Sequence, residues 1–431
     1  MPNWPVRQFI CPRSLITLTE ILQVAAGLDL HKKFILATIL TLSGDKKQEK
    51  FERTRDGLTR LKDWILNNEV QALGCESTSD YWVLIQDILN QYIPVIVGNA
   101  WDIKALSHKK TDKVDSEFIA MLTLKGMTQP SRIMPKSHRE FRSQARLRHR
   151  LIQKRTDVKN EMHHILDSEL FRLSDAFKDI FGKTGLVVLN GVTNGLPVDE
   201  ILDRVPPTVR YKERILREVM VQTLSQDALF RLRIYLTVMY CLDEQINLVT
   251  RSSIDYAYSQ YSREMKILTS VPGIGDVGAM ILLAEIGDIR DFSSGDKLAS
   301  WLGIVPRVYQ SADKLHTGSI TKRGSEHVRW ILTQIAHVAA RSRNNALMFF
   351  YSRKKTIIGA NKSVIALARK IGVIVWHLLT NDELYDDGMF VKRAPLKHVS
   401  VKIPTITSLE EILRLLKEAA VIIKSPYPDP V

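Results

Sequence analysis

Four acidic residues have the types and spacing to hold a divalent metal: Asp29, Glu76, Asp112 and Asp115. Asp112 and Asp115 stand three apart in KTDKVDSEFIAML, a segment with helical character, so they share one face. Thr111 is placed to cap that helix, and acids in a first turn also suit the positive end of the helix dipole. Taken alone, D-x-x-D is more often a solvated first turn. Upstream, however, Asp29 ends the apolar run VAAGLDL and Glu76 ends VQALGCE. The ends of buried strands are where an α/β sheet collects its chemistry. Two strand-end acids and two helix acids converging would supply hard oxygen ligands, the set that Mg²⁺ prefers.

Elements of the right kind flank these acids. Residues 24–30, 34–42 and 46–54 alternate as three strands, with Ser43-Gly44-Asp45 turning between the second and third. Asp56-Gly57 opens an amphipathic helix through Leu66, Val70–Cys75 reads as a buried strand, and a helix carries Tyr81 to Ile88. Ile93–Val97 is a fifth strand, and Asp112–Leu124 a further helix. Three strands, helix, strand, helix, strand, helix is the order of an RNase H-like (RuvC-like) domain. The acids fall on its first strand, its fourth strand and its late helix.

The chain has 431 residues, enough for two or three domains, and 45% apolar content, enough for sizeable cores. Its formal charge of +14 points to a nucleic-acid partner. No uninterrupted apolar run reaches the ~18 residues of a membrane span, and the N-terminus lacks the pattern of a secretory signal. Cys11, Cys75 and Cys241 are too scattered for a disulfide framework or a CxxC metal knuckle, so a reduced cytoplasm is expected.

The charge concentrates after the α/β region. Residues 136–155 hold eight Lys or Arg against the single acid Glu140, and Arg139, Arg142, Arg146, Arg150 and Lys154 follow helical steps down one face. A charge run is usually a solvated face, but one-signed charge on one stripe repels itself unless neutralised. Phosphate binding is therefore the expectation. Helices follow, interrupted at FGKTG, at NGVTNGLP and at Pro206-Pro207, with predicted helices over Tyr211–Ser225 and Leu229–Tyr261. The near-heptad spacing of Leu232, Leu236, Met239, Leu242, Ile246 and Val249 suggests a helix hairpin or oligomer-forming coiled coil. Pro272-Gly273-Ile274-Gly275 between helices has the helix-hairpin-helix signature, in which Gly273 and Gly275 let backbone N–H groups meet a phosphate. A predicted loop, residues 305–329, carries Ser311 and a possible phosphate cradle at Lys322-Arg323, ahead of helices over Trp330–Ala340 and Asn361–Leu379. A lone loop serine is normally a turn former.

In combination, D…E…KTDxVD, a helical spacer, S-x-P-G-I-G and Y-x-S…ITKxG closely resemble the DEDD transposases of the insertion sequence 110 family, the bridge-RNA-guided serine recombinases. The resemblance runs over roughly residues 23–380 in the same order. It implies a leader (1–22), a RuvC-like DEDD domain (23–135), a basic helical or coiled-coil spacer (136–267), a mainly helical helix-hairpin-helix and serine transposase domain (268–394), and a tail (395–431). It also implies that Asp29, Glu76, Asp112 and Asp115 ligate Mg²⁺ and that Ser311 is the nucleophile. Donor and target DNA, a structured noncoding bridge RNA and further copies of the chain (dimer or tetramer) would be the partners. The setting would be a bacterial or archaeal cytoplasm, at the nucleoid. Two features depart from the family pattern: Ala312 stands where a glycine often follows the serine, and the spacer is longer than in compact members.

A covalent phosphoserine conserves phosphodiester energy, which separates a recombinase from a nuclease. The alternative is a RuvC-like metal-dependent nuclease acting on branched DNA, with water attacking and Ser311 structural. A non-catalytic nucleic-acid scaffold would keep the basic stripe but leave the four acids unexplained.

Overall fold

A computed structural model describes residues 22–77, 79–99, 103, 112–128, 130–311, 314–322, 324–342 and 345–390, without the side chains of 112–114, 308–311, 314–317 and 389–390. The chain divides into two compact units. One comprises Met1–Met265, Asp276–Asp291 and Ser325–Ile331, the other Lys266–Gly275, Phe292–Gly324 and Leu332–Val431.

The first unit contains a five-stranded sheet of β1 (Val24–Leu30), β2 (Phe34–Thr41), β3 (Lys46–Glu52), β4 (Ala72–Glu76) and β5 (Val95–Gly98), in the order β3-β2-β1-β4-β5. β1, β2 and β3 pair antiparallel, whereas β4 lies parallel to both β1 and β5. The central strands β1 and β4 are apolar and buried, while the edge strand KKQEKFE is mostly exposed and charged, which blunts edge-to-edge pairing. Helices α1 (Arg55–Asn67) and α2 (Tyr81–Leu89) bury Leu58, Leu61, Ile65, Ile85 and Leu89 in the sheet's core. Thr54 starts α1 by accepting a hydrogen bond from Gly57 N at 3.1 Å. Helix α3 (Asp112–Leu124) covers β1, β2 and β4.

A helical region follows. α4 (Lys136–Ser168) is succeeded by α5 (Lys183–Thr193), α6 (Val198–Arg204), a 3₁₀ turn over Pro207–Lys212, α7 (Glu213–Met220) and the 35-residue α8 (Gln226–Gln260). The expected helix over Tyr211–Ser225 is thus shorter. Its first residues, Tyr211 and Lys212, instead end a 3₁₀ turn that opens at Pro207. Phe171, Phe177, Phe181, Leu189, Ile201, Leu216, Leu232 and Met239 share one core. After α9 (Ser262–Thr269) comes α10 (Asp276–Ile286), buried along nearly its whole length.

The second unit adds α11 (Gly295–Trp301), β6 (Pro306–Ser311), β7 (Lys314–Ile320), most of α12 (Glu326–Ala339), α13 (Ala346–Ile358) and α14 (Ala360–Asn381). Residues 306–311 and 314–320 pair as antiparallel strands rather than forming a loop, because backbone pairing satisfies a segment whose side chains carry no clear period. By length and composition α14 could cross a membrane, but its Val364, Leu367, Ile371, Ile374, Val375 and Leu378 are buried inside the unit.

Candidate active site

Register places the first two acids. Leu28 of β1 pairs with Cys75 of β4, so the next residue on each parallel strand, Asp29 and Glu76, comes side by side at the carboxyl end of the sheet. Two residues earlier, Gly27 pairs with Gly74. Residues two apart on a strand share a face, so the glycines mark the face on which both acids project. Helix α3 lies on that face. A Cβ at Gly27 would stand 2.2 Å from Ala120 N and 2.3 Å from Ser116 O, and one at Gly74 would stand 2.0 Å from Thr123 Oγ1. Only glycine lets the helix backbone rest directly on β1.

Polar contacts then fix the helix along the sheet. Ser116 Oγ lies 2.8 Å from Thr38 Oγ1, and Gln48 Nε2 donates to both, at 3.3 and 2.8 Å. Asp115, half-buried, immediately precedes Ser116, and Asp112 is the first residue of α3. The acids stand out in the sequence and the glycines do not, although G-x-D stands in β1 and G-x-E in β4.

His31 is a further polar neighbour of this corner that no sequence motif singles out. Its Nε2 lies 2.8 Å from Asp29 Oδ2, and its ring stacks on Phe34 with centroids 4.3 Å apart. Both partners are largely shielded, with 31% and 19% of the His31 and Asp29 side chains exposed. Glu76 Oε1 lies beneath the surface. Among the described residues, no three His, Cys, Asp or Glu side chains come together as a metal cage; the Asp112 side chain is outside the description. The donor chemistry nevertheless fits Mg²⁺, which is commonly held by one or two carboxylates completed by water and substrate phosphate.

Ser311 belongs to the second unit. It is the last residue of β6 and pairs with Lys314 of β7. The hairpin's base is tied down by Thr321 N donating to Val305 O at 3.0 Å and Lys322 N to Gly303 O at 3.1 Å. Lys322 is exposed, with φ +56°, and Gly324 passes so close to α11 that a Cβ would meet Trp301 O at 2.0 Å. Arg323 lies outside the described residues.

The glycines after Pro272 differ in role. Gly273 has φ +95° and no room for a Cβ, which would stand 2.8 Å from Ile335 O, so it is a packing glycine. Gly275 has open space around its Cα and immediately precedes α10.

The basic stripe of α4 divides. Arg139 pairs with Asp87 and donates to Met134 O, and Arg146 makes a two-pronged ion pair with Glu285, at 2.6 and 2.9 Å. Glu285 is 1% exposed, and its hydrogen bonds raise the pKa of the Arg146 guanidinium. Arg142 is half-buried against Met134, and burial lowers its pKa. Only Arg150 and Lys154 stand exposed. The self-repulsion that suggested phosphate is relieved at Arg139 and Arg146 by carboxylates of the same chain. Beside the stripe, burial lowers the pKa of His138, His149 and His327; His149 and His327 meet edge to face at 4.8 Å between centroids.

Comparison with known proteins bears on both units. A family model described as "Transposase", the DEDD type of IS110, matches residues 26–170, and one described as "Transposase IS116/IS110/IS902 family" matches residues 265–352. The chain is 24% identical to the transposase for insertion sequence element IS1111A of Coxiella burnetii, over 65% of this chain and 69% of that one. It is 35% identical to the putative transposase y4pF/y4sB of Sinorhizobium fredii, over 28% of this chain and 32% of the relative. With the pilin gene-inverting protein of Moraxella bovis the identity is 30%, over 30% and 40% of the two chains. The matches to the Sinorhizobium and Moraxella proteins thus span well under two thirds of those relatives. One family model falls on the carboxylate-bearing sheet and the other on the segment that carries Ser311, so the chain belongs to the IS110/IS116/IS902 transposase family.

Proposed function

We propose that this protein cuts and rejoins DNA as a transposase, with Asp29, Glu76, Asp112 and Asp115 holding Mg²⁺ and Ser311 acting as nucleophile. The observation that carries the reading is the register of β1 against β4, which sets Asp29 beside Glu76 on the face covered by α3. When bound, the metal would polarise the scissile phosphate and offset charge in the transition state. The chain's own residues do the rest. His31 orients the Asp29 carboxylate through its 2.8 Å contact. Ser311 Oγ bonds to phosphorus as the bond to a strand-end oxygen breaks; the serine proton passes to a base and the departing oxygen takes up a proton. Attack of another strand-end hydroxyl on the phosphoserine reverses the step and releases the serine. Arg150 and Lys154 are the exposed cations of the stripe left for nucleic acid, and a structured bridge RNA and further copies of the chain complete the assembly. The pilin gene-inverting relatives support recombination over simple cleavage.

Incubation of DNA with protein, RNA and Mg²⁺ should yield a covalent protein–DNA species that survives denaturant. Ser311→Ala should form no adduct yet still bind nucleic acid. Asp29→Ala and Glu76→Ala should lose cleavage by at least about 100-fold, while affinity, which rests on cations, persists. If Ser311→Ala recombines at the wild-type rate, attack by water at the acids becomes the better account.

A further inference from the structure

Two histidines in contact are used by neither the carboxylates nor Ser311. His149 lies on α4, three residues past Arg146 and so on the same face, and His327 is the second residue of α12. Both belong to the same compact unit. Their rings meet edge to face, with 4.8 Å between centroids and 83° between planes. Trp330, three residues past His327, shares its face of α12 and brings its own ring to 4.8 Å from that of His149. His149 is thus flanked by two aromatic rings from one helix.

What marks the pair is an unmet chemical demand. Nδ1 of His149 and Nδ1 of His327 both lie beneath the surface, and neither has a hydrogen-bond partner in the protein. A buried polar atom without a partner is uncommon in folded proteins and calls for a bound water or ion. Two of them on touching rings call for one shared occupant. Burial lowers the pKa of both histidines, so at neutral pH each is a neutral imidazole, the form that ligates a metal. Glu326 and Glu285 favour positive charge here. Arg146, already held by Glu285, and Arg148 oppose it.

We propose that His149 and His327 together bind one transition-metal ion of the Zn²⁺ class through their Nδ1 atoms. Imidazole nitrogen suits Zn²⁺, Ni²⁺, Co²⁺ and Cu²⁺, whereas Mg²⁺ takes hard oxygen ligands. This site and the carboxylates therefore select different ions. The spacing fits as well. With metal–nitrogen bonds of ~2.1 Å, two imidazoles on one ion have centroids about 4.6 Å apart at a right angle and about 5.3 Å apart at the tetrahedral angle. The observed 4.8 Å lies between the two. Turning each Nδ1 onto the ion takes a rotation about Cβ–Cγ, a broad torsion in histidine. Among the described residues no third His, Cys, Asp or Glu joins the pair as a cage, so water completes the coordination and the ion exchanges readily. Once bound, it staples the start of α12 to α4.

Chelator-treated full-length protein, free of nucleic acid, should bind Zn²⁺ in calorimetry, and Co²⁺ in its place should develop the visible absorption of a nitrogen-ligated ion. His149→Ala and His327→Ala should each remove one Zn²⁺ equivalent or weaken it by at least about 100-fold, because even groups that only orient a metal ligand are worth about 10–100-fold. Asp29→Ala should keep that equivalent, so failure here and failure of the carboxylate assignment read out separately. A wild-type protein that binds no Zn²⁺, its Nδ1 atoms satisfied by water alone, overturns the proposal; so do histidine variants that keep the full stoichiometry. Should both variants fail to fold, the wild type decides. Zn²⁺ should then protect His149 and His327 from carbethoxylation, mapped by mass spectrometry, and equal labelling with and without the ion is fatal to the assignment.

Discussion

The carboxylate corner and the serine hairpin are built by opposite means. Asp29 and Glu76 sit at the ends of buried central strands, beneath a helix whose backbone rests on Gly27, so their positions follow from the packing of a whole sheet. Ser311 closes a two-stranded hairpin held by backbone pairing to β7 and by the bonds at Val305 and Gly303. An isolated two-stranded hairpin is marginal in water. The two parts therefore tolerate change at different places. The corner is fixed by close packing and should fail when crowded, whereas the hairpin leaves room.

Glycine substitutions test this most strongly. Gly27→Ala puts a methyl within 2.3 Å of backbone atoms of Ala120 and Ser116 that cannot rotate away, so it should cost about 1–3 kcal/mol or more in urea unfolding. Gly74→Ala meets the Thr123 hydroxyl at 2.0 Å, and because that buried side chain already donates to Ile119 O at 2.8 Å it should also be costly, though without a clash against backbone. Among the described residues, Gly318→Ala in β7 meets Arg307 at an ordinary 3.6 Å and should be nearly neutral. Equal costs at Gly27 and Gly318 would erase the contrast.

That contrast also explains what the sequence disclosed. Strand order, the strand-end acids and the late helix were legible because buried central strands read as apolar runs and acids interrupt them at a visible place. The glycine pair escaped because a glycine in a strand announces a close approach only once the approaching helix is known. The hairpin escaped because VYQSADKLHTG is neither clearly alternating nor rich in β-branched residues. The stripe of α4 was legible as a stripe, but its partners Asp87 and Glu285 lie 52 and 139 residues away from Arg139 and Arg146, and no local pattern reveals them.

The divided stripe gives a second test. Arg150→Gln with Lys154→Gln should lower the log–log salt slope of nucleic-acid binding by about 0.7–0.9 per lost phosphate contact and leave stability unchanged. Arg146→Ala should leave that slope alone but strand the buried Glu285 carboxylate. Removing one member of a buried pair costs about 3–5 kcal/mol; because 36% of the Arg146 side chain is exposed, the lower end is expected. If Arg146→Ala instead changed the slope with no loss of stability, the α4–α10 ion pair would not be its main role.

The smallest effect expected is acid sensitivity confined to the unit that carries the carboxylate corner. Burial lowers the pKa of His138, His149 and His327 in the folded chain. The sign follows from linkage. Where the unfolded chain binds more protons, stability rises with pH. These groups therefore contribute fully above their unfolded pKa of ~6.5, and the contribution falls away as pH drops through the lower folded values. Neighbouring charges act both ways. Glu326 favours the charged form of His149 while Arg148 opposes it, and at His327 the helpers are Glu285 and Glu326 against Arg146 and His149. Thermal unfolding followed from pH ~7.5 to ~5.5 should show Tm falling by a few degrees, since about 1 kcal/mol moves Tm by roughly 2–4 °C in a domain of this size. His149→Phe removes one proton-binding group and relieves the repulsion at His327, so its profile should be flatter over the same range. An unchanged slope in His149→Phe would place the acid sensitivity elsewhere, with His138, whose Nε2 lies 3.0 Å from Ala284 O, as the next histidine to replace.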